Sequence, residues 1–363
     1  MIRRTACIIA RGTDPYRNLA IEKQLLDTLP EETAILYLWQ NAHTIVCGRN
    51  QNPWYECRVK DFMADGGRIA KRLSGGGTVY HDMGNLNFTF LVPRSSFDIP
   101  KQLSVIQAAV ASFGLRAVRS GRNDLEIGGR KFSGNAFYTS GQNAYHHGTL
   151  LVNADKDIMA RYLLADQTKL QNRGVKSVPA RVINLQSLSS DITVESLQSA
   201  LFRAFAKVYV QKPTLLDEKM MDQPTLEKLT EQYRNPAWIF PREVPYTFTV
   251  KERFPWGGIT VNLLVEDGMI REAKFFTDAM DAGLFSVLEQ SLIGSPSLVS
   301  SITGRLKQKQ DMIRDESLKQ VVSDIGSLIC SHIRANDRSA YQQPSEDSEP
   351  ASHTRSARSR RSR

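Results

Sequence analysis

Residues 68–90 read Arg-Ile-Ala-Lys-Arg-Leu-Ser-Gly-Gly-Gly-Thr-Val-Tyr-His-Asp-Met-Gly-Asn-Leu-Asn-Phe-Thr-Phe, and the three consecutive glycines constrain the fold more than any other stretch. Gly75, Gly76 and Gly77 separate two segments of strand character. Glycine loses more chain entropy on folding than any other residue. A stable sheet protein therefore places three together only where backbone must approach something closely. Lys71 and Arg72, just ahead, suggest an anion, because freed N–H groups beside an arginine cradle phosphate or carboxylate. A bare triplet also reads as a flexible hairpin loop. Here Arg72, Ser74, His81, Asp82, Asn85 and Asn87 crowd the same apolar strands, and that density favours a site.

The chain around this stretch alternates short strands with helices. Strands are expected at 6–10, 34–39, 44–48, 68–73, 78–81, 85–92 and 145–152, with tight connections that indicate antiparallel or mixed pairing rather than a doubly wound sheet. Helical spacing marks 15–29, with Asp14 as N-cap before Pro15, and also 57–64, 101–113, 156–164 and 194–208. Residues 121–131 read as a hairpin turning at Gly128-Gly129. A second α+β unit follows, with strands at 246–252, 258–265 and 269–276 and helices at 283–292 and 318–334. The expected division is 1–210, a linker at 211–235 with a short helix near 225–233, a small unit at 236–335, and a disordered tail at 336–363.

Composition excludes several classes. No apolar run approaches the roughly 18 residues that span a bilayer, and Arg11 cuts the opening apolar stretch too short for a signal peptide. A cytoplasmic location is the expectation. Cys7, Cys47, Cys57 and Cys330 lack paired spacing, which argues against both a zinc site and a disulfide framework. The formal charge of +9 owes five units to the arginines of 355–363, so the rest of the chain carries +4. That mild balance suits an enzyme for anionic substrates and acidic partners. The serine-spaced arginines lack interleaved aromatics and read as a solvated appendage rather than a nucleic-acid surface.

The run Arg72-x-Ser74-Gly-Gly-Gly-Thr-Val-Tyr-His81-Asp-x-Gly-Asn-x-Asn87 closely resembles the signature of the lipoate-protein ligases and their lipoyltransferase relatives. The resemblance continues at Lys131-Phe-Ser-Gly-Asn-Ala, at His146-His-Gly-Thr-Leu-Leu and around Phe254-Pro-Trp-Gly-Gly, and so covers roughly residues 5–335. It implies a mixed, largely antiparallel α+β catalytic domain of the biotin-ligase and class II synthetase type, plus a small C-terminal domain. It also implies two reactions: lipoate and ATP form lipoyl-AMP, and a lysine of an acceptor protein then takes the lipoyl group. The implied acceptors are lipoyl domains of 2-oxoacid dehydrogenase E2 subunits and the glycine cleavage H protein. A monomer, without nucleic-acid or membrane partners, is expected.

Residue roles follow from the same resemblance. Lys131 follows a glycine turn and precedes small residues that allow close approach. The family's Lys-x-Ser-Gly motif implies that it contacts both the lipoate carboxylate and the nucleotide phosphate, a double duty that suits a compact ammonium. Arg72, Gly77, Thr78, Val79, Tyr80, Lys131, Asn123 and Asp124 are the expected ATP contacts. Ser74, Gly75, Gly76, His81, Lys131, Gly148 and Thr149 are the expected lipoate contacts. Asp124 is the candidate Mg²⁺ ligand, though an Asp at a strand end is as often a turn former. Lys176, Ser177 and Arg181 match a loop that covers the adenylate in relatives and would keep water off the anhydride.

Some assignments stay open at the level of sequence. The apolar tail needs a slot that Trp39, 44–46 and Tyr80 could supply, although core packing explains them equally well. The attacking lysine is neutral only about once in 2,500 at pH 7, and no base is identified: His81 either takes that proton or holds the glycine loop. His146 and His147 point to opposite faces of a strand, so only one reaches a pocket. Between Cys57 and Cys330 there is no cysteine, which argues against transfer through a thioester. The alternatives are a transferase that uses preformed lipoyl-AMP, or an octanoyltransferase. Lys71 stands where relatives often carry Arg, which keeps charge but loses bidentate geometry.

Overall fold

The computed structural model of the chain describes residues 2–121, 124–164 and 182–340, with side chains through 333. Strand β1 (Arg4–Ile9) leads into helix α1 (Pro15–Asp27) and strand β2 (Thr33–Trp39). Asp14 caps α1 by accepting from the Tyr16 amide at 2.9 Å, and Pro15 occupies the first turn, where a missing N–H leaves no bond unmade. Next come β3 (Thr44–Cys47), the short helices α2 (Pro53–Glu56) and α3 (Val59–Ala64), and β4 (Arg68–Lys71). After the glycine loop follow β5 (Val79–His81), β6 (Asn85–Pro93), α4 (Ile99–Ala111), β7 (Val118–Ser120) and β8 (Asp124–Ile127).

A tight turn at Gly128 and Gly129, both at positive φ (57° and 72°), joins β8 to β9 (Arg130–Ser140). β10 (Asn143–Leu151), α5 (Lys156–Tyr162) and α6 (Val194–Tyr209) follow. Then come β11 (Thr214–Leu216), α7 (Gln223–Arg234) and the one-turn α8 (Pro236–Ile239). The second unit comprises β12 (Phe248–Phe254), β13 (Gly257–Glu266) and β14 (Met269–Thr277), backed by α9 (Leu284–Leu292), α10 (Val299–Asp311) and α11 (Glu316–Ala340).

The large sheet runs β11-β1-β2-β6-β10-β9-β8-β7. β1 is parallel to both of its neighbours and every other pairing is antiparallel, so the expected mixed, largely antiparallel α+β architecture holds. Its two faces are sorted by strand alternation. Phe88, Phe90 and Leu150 turn to one side and pack under α4 and α6 through Leu103, Ile106, Leu201 and Phe205. Tyr37, Trp39, Leu91 and Tyr145 turn to the other, against α1 and α7 through Leu19, Leu25, Leu26, Leu226 and Tyr233. A small sheet, β4-β3-β5, lies on this second side.

The segment 211–235, expected as a linker, carries β11 and α7. β11 extends the large sheet beside β1, and α7 buries Leu226 and Tyr233 in the core it shares with α1. These residues sit with the large unit through long-range pairing, which their polar composition does not convey. α11 continues through Ala340, so 336–340, expected as the start of the tail, are helical, and 341–363 lie outside the described residues. No described helix is long and apolar enough to cross a membrane.

Candidate active site

A cavity of about 410 Å³ opens between the large sheet, the glycine loop and the second unit. Its floor comes from strand register. Trp39 on β2 lies opposite Asn87 on β6, and Asn87 lies opposite Thr149 on β10. In the adjacent row Thr89 lies opposite His147, and His147 opposite Ala136 on β9. Directly opposed residues share a face, so these rows form a platform beneath the cavity. Leu19 of α1 and Val46 of β3 also line the cavity.

The glycine loop is built around Arg72. This side chain is 6% exposed, and its guanidinium donates from Nε to Ser74 Oγ at 3.0 Å and to the Val46, Gly75 and Gly77 carbonyls at 3.1, 2.7 and 2.8 Å. Arg72 is therefore a strut inside the loop as well as part of the cavity wall. Ser74 Oγ, having accepted from Arg72, donates to His147 Nε2 at 2.7 Å, and His147 Nδ1 donates to Glu22 Oε1 at 2.8 Å. Thr89 donates to the same carboxylate oxygen at 2.7 Å and accepts from Trp39 Nε1 at 3.1 Å. The order Ser74–His147–Glu22 matches a nucleophilic triad. Ser74, however, is fully buried with Arg72 on its oxygen, which makes it an anchor rather than a nucleophile.

The second unit grips the loop directly. Gly76, at φ 86°, donates its amide to the Ala279 carbonyl at 2.9 Å, and a Cβ on Gly75 would land 2.4 Å from the Met280 carbonyl oxygen. Close approach does explain the glycines here, but the partner of Gly75 is protein backbone rather than an anion. Thr277 donates to the Asn50 carbonyl at 2.9 Å beside this contact. Arg253, Trp256, Asp278 and Met280 thereby reach the cavity wall.

Lys131 stands on the cavity wall with Nζ 2.8 Å from Asp124 Oδ1. A Cβ on Gly134 would sit 2.8 Å from that ammonium, so only glycine leaves Lys131 this path across the floor. Gly77, Thr78, Val79, His81, Asp124, Gly148 and Thr149 also line the cavity. Thr78 is fixed by donating to Gln51 Oε1 at 2.7 Å. Tyr80 is not brought to it. β5 alternates, so Val79 and His81 face the cavity while Tyr80 packs behind the small sheet with Phe62 and bonds His43 at 3.1 Å. Of the residues expected to form the apolar slot, Trp39 and Val46 take that place, whereas Thr44, Ile45 and Tyr80 do not. Lys71 lies off the cavity wall, 7% exposed near Arg49 and Lys274, and burial pushes its ammonium down to about 8. Asn123 and the expected lid residues Lys176, Ser177 and Arg181 lie outside the described residues.

The histidines divide as alternation requires. His147 reaches the platform, while His146 is buried on the other face between Gln102 and Asn135 at 3.1 and 2.9 Å. Burial holds both His146 and His81 down to about 3, so His81 is not a base at neutral pH. Glu22 was not among the expected site residues. It sits on a helix whose spacing reads as core, and only its burial beside His147 reveals it. Trp256 lies within, and Arg253 just before, the Phe254-Pro-Trp-Gly-Gly run that carried part of the resemblance, and that was the available signal. All four cysteines are buried and free, none lines the cavity, and burial pushes the Cys47 thiol up to about 11.

Comparison with known proteins agrees with this geometry. Residues 14–206 match the family described as the lipoyl protein ligase A/B catalytic domain, and 243–325 match the bacterial lipoate protein ligase C-terminus. A curated lipoate-protein ligase A of Psychrobacter cryohalolentis is 40% identical over 288 residues, covering 77% of this chain and 85% of that protein. The crystal structure of P. falciparum LipL1 in complex with lipoate superposes with a TM-score of 0.79 at 27% identity, covering 90% of this chain and 99% of that one. A bipartite lipoate protein ligase from Thermoplasma acidophilum, studied with its E2 lipoyl domain, gives a TM-score of 0.59 at 22% identity over 67% of this chain and 99% of its own, which shows likeness of fold.

Proposed function

Because this chain belongs to the lipoate-protein ligase A family, we propose that it activates lipoate with ATP in the described cavity and passes the lipoyl group to a lysine of a lipoyl domain. The acceptors on this reading are E2 subunits of 2-oxoacid dehydrogenases and the glycine cleavage H protein, met by a monomer. The division of labour is a catalytic large unit, with β11 and α7 belonging to it, and a small unit that completes the wall.

One observation carries the reading. Lys131 projects over Gly134 and Thr149, and apolar Trp39, two strands away from Thr149, lines the same cavity with Leu19 and Val46. An amphiphilic acid fits that polarity, with its carboxylate at Lys131 and its tail toward Trp39. Attack of the carboxylate on the α-phosphate of ATP brings two anions together, and pyrophosphate leaves. The barrier is largely repulsion and alignment, which a fixed ammonium and oriented N–H groups reduce. On this reading Lys131 holds the carboxylate against the phosphate, and the Gly77–Val79 backbone faces the nucleotide. Arg72 acts one step back by holding the Gly75 and Gly77 carbonyls.

Among the described residues no cluster of three His, Cys, Asp or Glu makes a metal cage. Mg²⁺ needs less, since it is commonly held by one or two carboxylates plus phosphates and water. Asp124 fits that role with the oxygen that does not face Lys131. When bound, the ion would neutralise phosphate charge. Transfer through a cysteine thioester has no support in a cavity without cysteine.

Lys131→Ala tests the assignment. With lipoate, ATP and Mg²⁺, pyrophosphate release is expected to fall by roughly 100-fold or more, with the thermal unfolding midpoint unchanged. Release at the wild-type rate would contradict it.

A further inference from the structure

His81 is 3% exposed on the cavity wall, and a chain of side-chain amides fixes which of its ring nitrogens carries the proton. Tyr37 donates its hydroxyl to Asn18 Oδ1 at 3.2 Å, and Asn18 Nδ2 donates to the Gln40 carbonyl at 2.8 Å and to Asn41 Oδ1 at 3.0 Å. Asn41 therefore accepts at its oxygen, and the atom it turns on His81 Nδ1, at 3.1 Å, is its Nδ2 donor. Asn87 Nδ2 approaches the same nitrogen at 3.5 Å, its own oxygen being occupied by Asn85 Nδ2 at 2.9 Å. Nδ1 is thus an acceptor, and the neutral ring bears its hydrogen on Nε2. Burial, with Arg72 and His147 nearby, keeps the ring neutral. Nε2 is buried and has no partner among the described residues.

A buried donor of fixed direction is costly until something accepts from it. The platform says what reaches it. Lys131 stands over Gly134, whose amide donates to Thr149 Oγ1 at 3.3 Å, whereas His81 stands by Asn87 and Trp39, with ring centroids 6.1 Å apart from the latter. Asn87 and Trp39 lie one and two strands beyond Thr149. At about 4.8 Å per strand the two ends are roughly 10–15 Å apart. Lipoate, with bonds near 1.5 Å, spans roughly 10 Å from carboxylate to ring sulfur. A carboxylate held at Lys131 therefore brings the far end of the molecule to His81.

We propose that His81 is a specificity-determining residue whose Nε2–H donates to a dithiolane sulfur, so that the site prefers lipoate to a saturated acid of equal length. The assignment rests on the ligase reading in taking lipoate as the ligand. Sulfur is a weak acceptor, but octanoate presents none and leaves the donor unpaired. Discrimination by an unpaired buried group exceeds that available from shape alone. Trp39, held by its bond to Thr89, stands beside His81 on the same wall.

The test is calorimetric binding of lipoate, octanoate and 5-cyclopentylpentanoate, which copies the ring without sulfur, to the full chain. Wild type should bind lipoate about fivefold or more tightly than the carbocycle. His81→Leu should abolish that difference, and His81→Gln, which returns an N–H near the same point, should restore part of it. Equal affinities for lipoate and carbocycle in wild type would overturn the proposal, even if His81→Leu failed to fold. An undiminished preference in a folded His81→Leu would overturn it equally. Wild type that shows the preference yet modifies no acceptor would support the sulfur contact and sink the ligase reading, so the two failures are distinguishable.

Discussion

Buried imidazoles set the acid response of this protein residue by residue. His81 and His146 are both held down to about 3 by burial, whereas an unfolded histidine titrates near 6.5. Between those values the unfolded chain binds more protons, so stability falls as pH drops below about 6.5. Each ring contributes about 2 kcal/mol of loss by pH 5. Urea midpoints at pH 7 and pH 5 measure the sum, and His146→Gln is expected to remove one share of the pH dependence. A pH-independent midpoint would contradict the burial argument. At this scale the sequence conveyed residue types better than roles. Ser74 and His81 stood out because polar groups inside apolar strands need a reason, and Lys131 through the small residues around it and its Lys-x-Ser-Gly motif. That Ser74 anchors a relay to Glu22 was illegible, because Glu22 and Ser74 are joined only by folding α1 onto β10.

The glycine loop as an element separates space filled by protein from space left for a ligand. A Cβ at Gly75 would meet the Ala279 and Met280 carbonyl oxygens at 2.5 and 2.4 Å, and backbone cannot yield as a side-chain tip does. At Gly77 nothing lies within 4 Å. Gly75→Ala is therefore expected to lower stability by about 2 kcal/mol, in the range of overpacking, and to weaken the seam between the units. Gly77→Ala should leave the melting temperature alone and raise KM for ATP. The reverse pattern would mean that the loop opens to ligand at Gly75. Hairpins such as β8–β9 were readable because Gly-Gly dictates its own turn, and period two separated His146 from His147. β11 was not readable, since three exposed residues become a strand only when β1 offers an edge.

Over the whole molecule, the second unit completes the cavity wall that the large unit begins, and the contact buries charge near the seam. Lys71 has few exposed atoms, lies near Arg49 and Lys274, and is held down to about 8 from 10.5. Below about 8 its buried ammonium costs stability, and that cost disappears as pH rises from 8 to 10.5, because only the unfolded chain still holds the proton there. Lys71→Met should therefore stabilise the protein by up to about 3 kcal/mol at pH 7 and by almost nothing at pH 10.5. Unfolding curves at both pH values check this, and a gain independent of pH would contradict it. The second unit was expected from the strand and helix pattern that follows the linker-like stretch 211–235. The seam was not, because Gly76 and Ala279 are brought together only by tertiary packing. The most direct test of the central claim is intact mass of an unmodified lipoyl domain after incubation with this protein. One sample receives lipoic acid, ATP and Mg²⁺, and the other receives lipoyl-AMP alone. Lipoylation in both is expected if, as proposed, activation and transfer share the Lys131 cavity. Lipoylation only with lipoyl-AMP would contradict the activating role, and none in either, with a folded acceptor, would contradict the function as a whole.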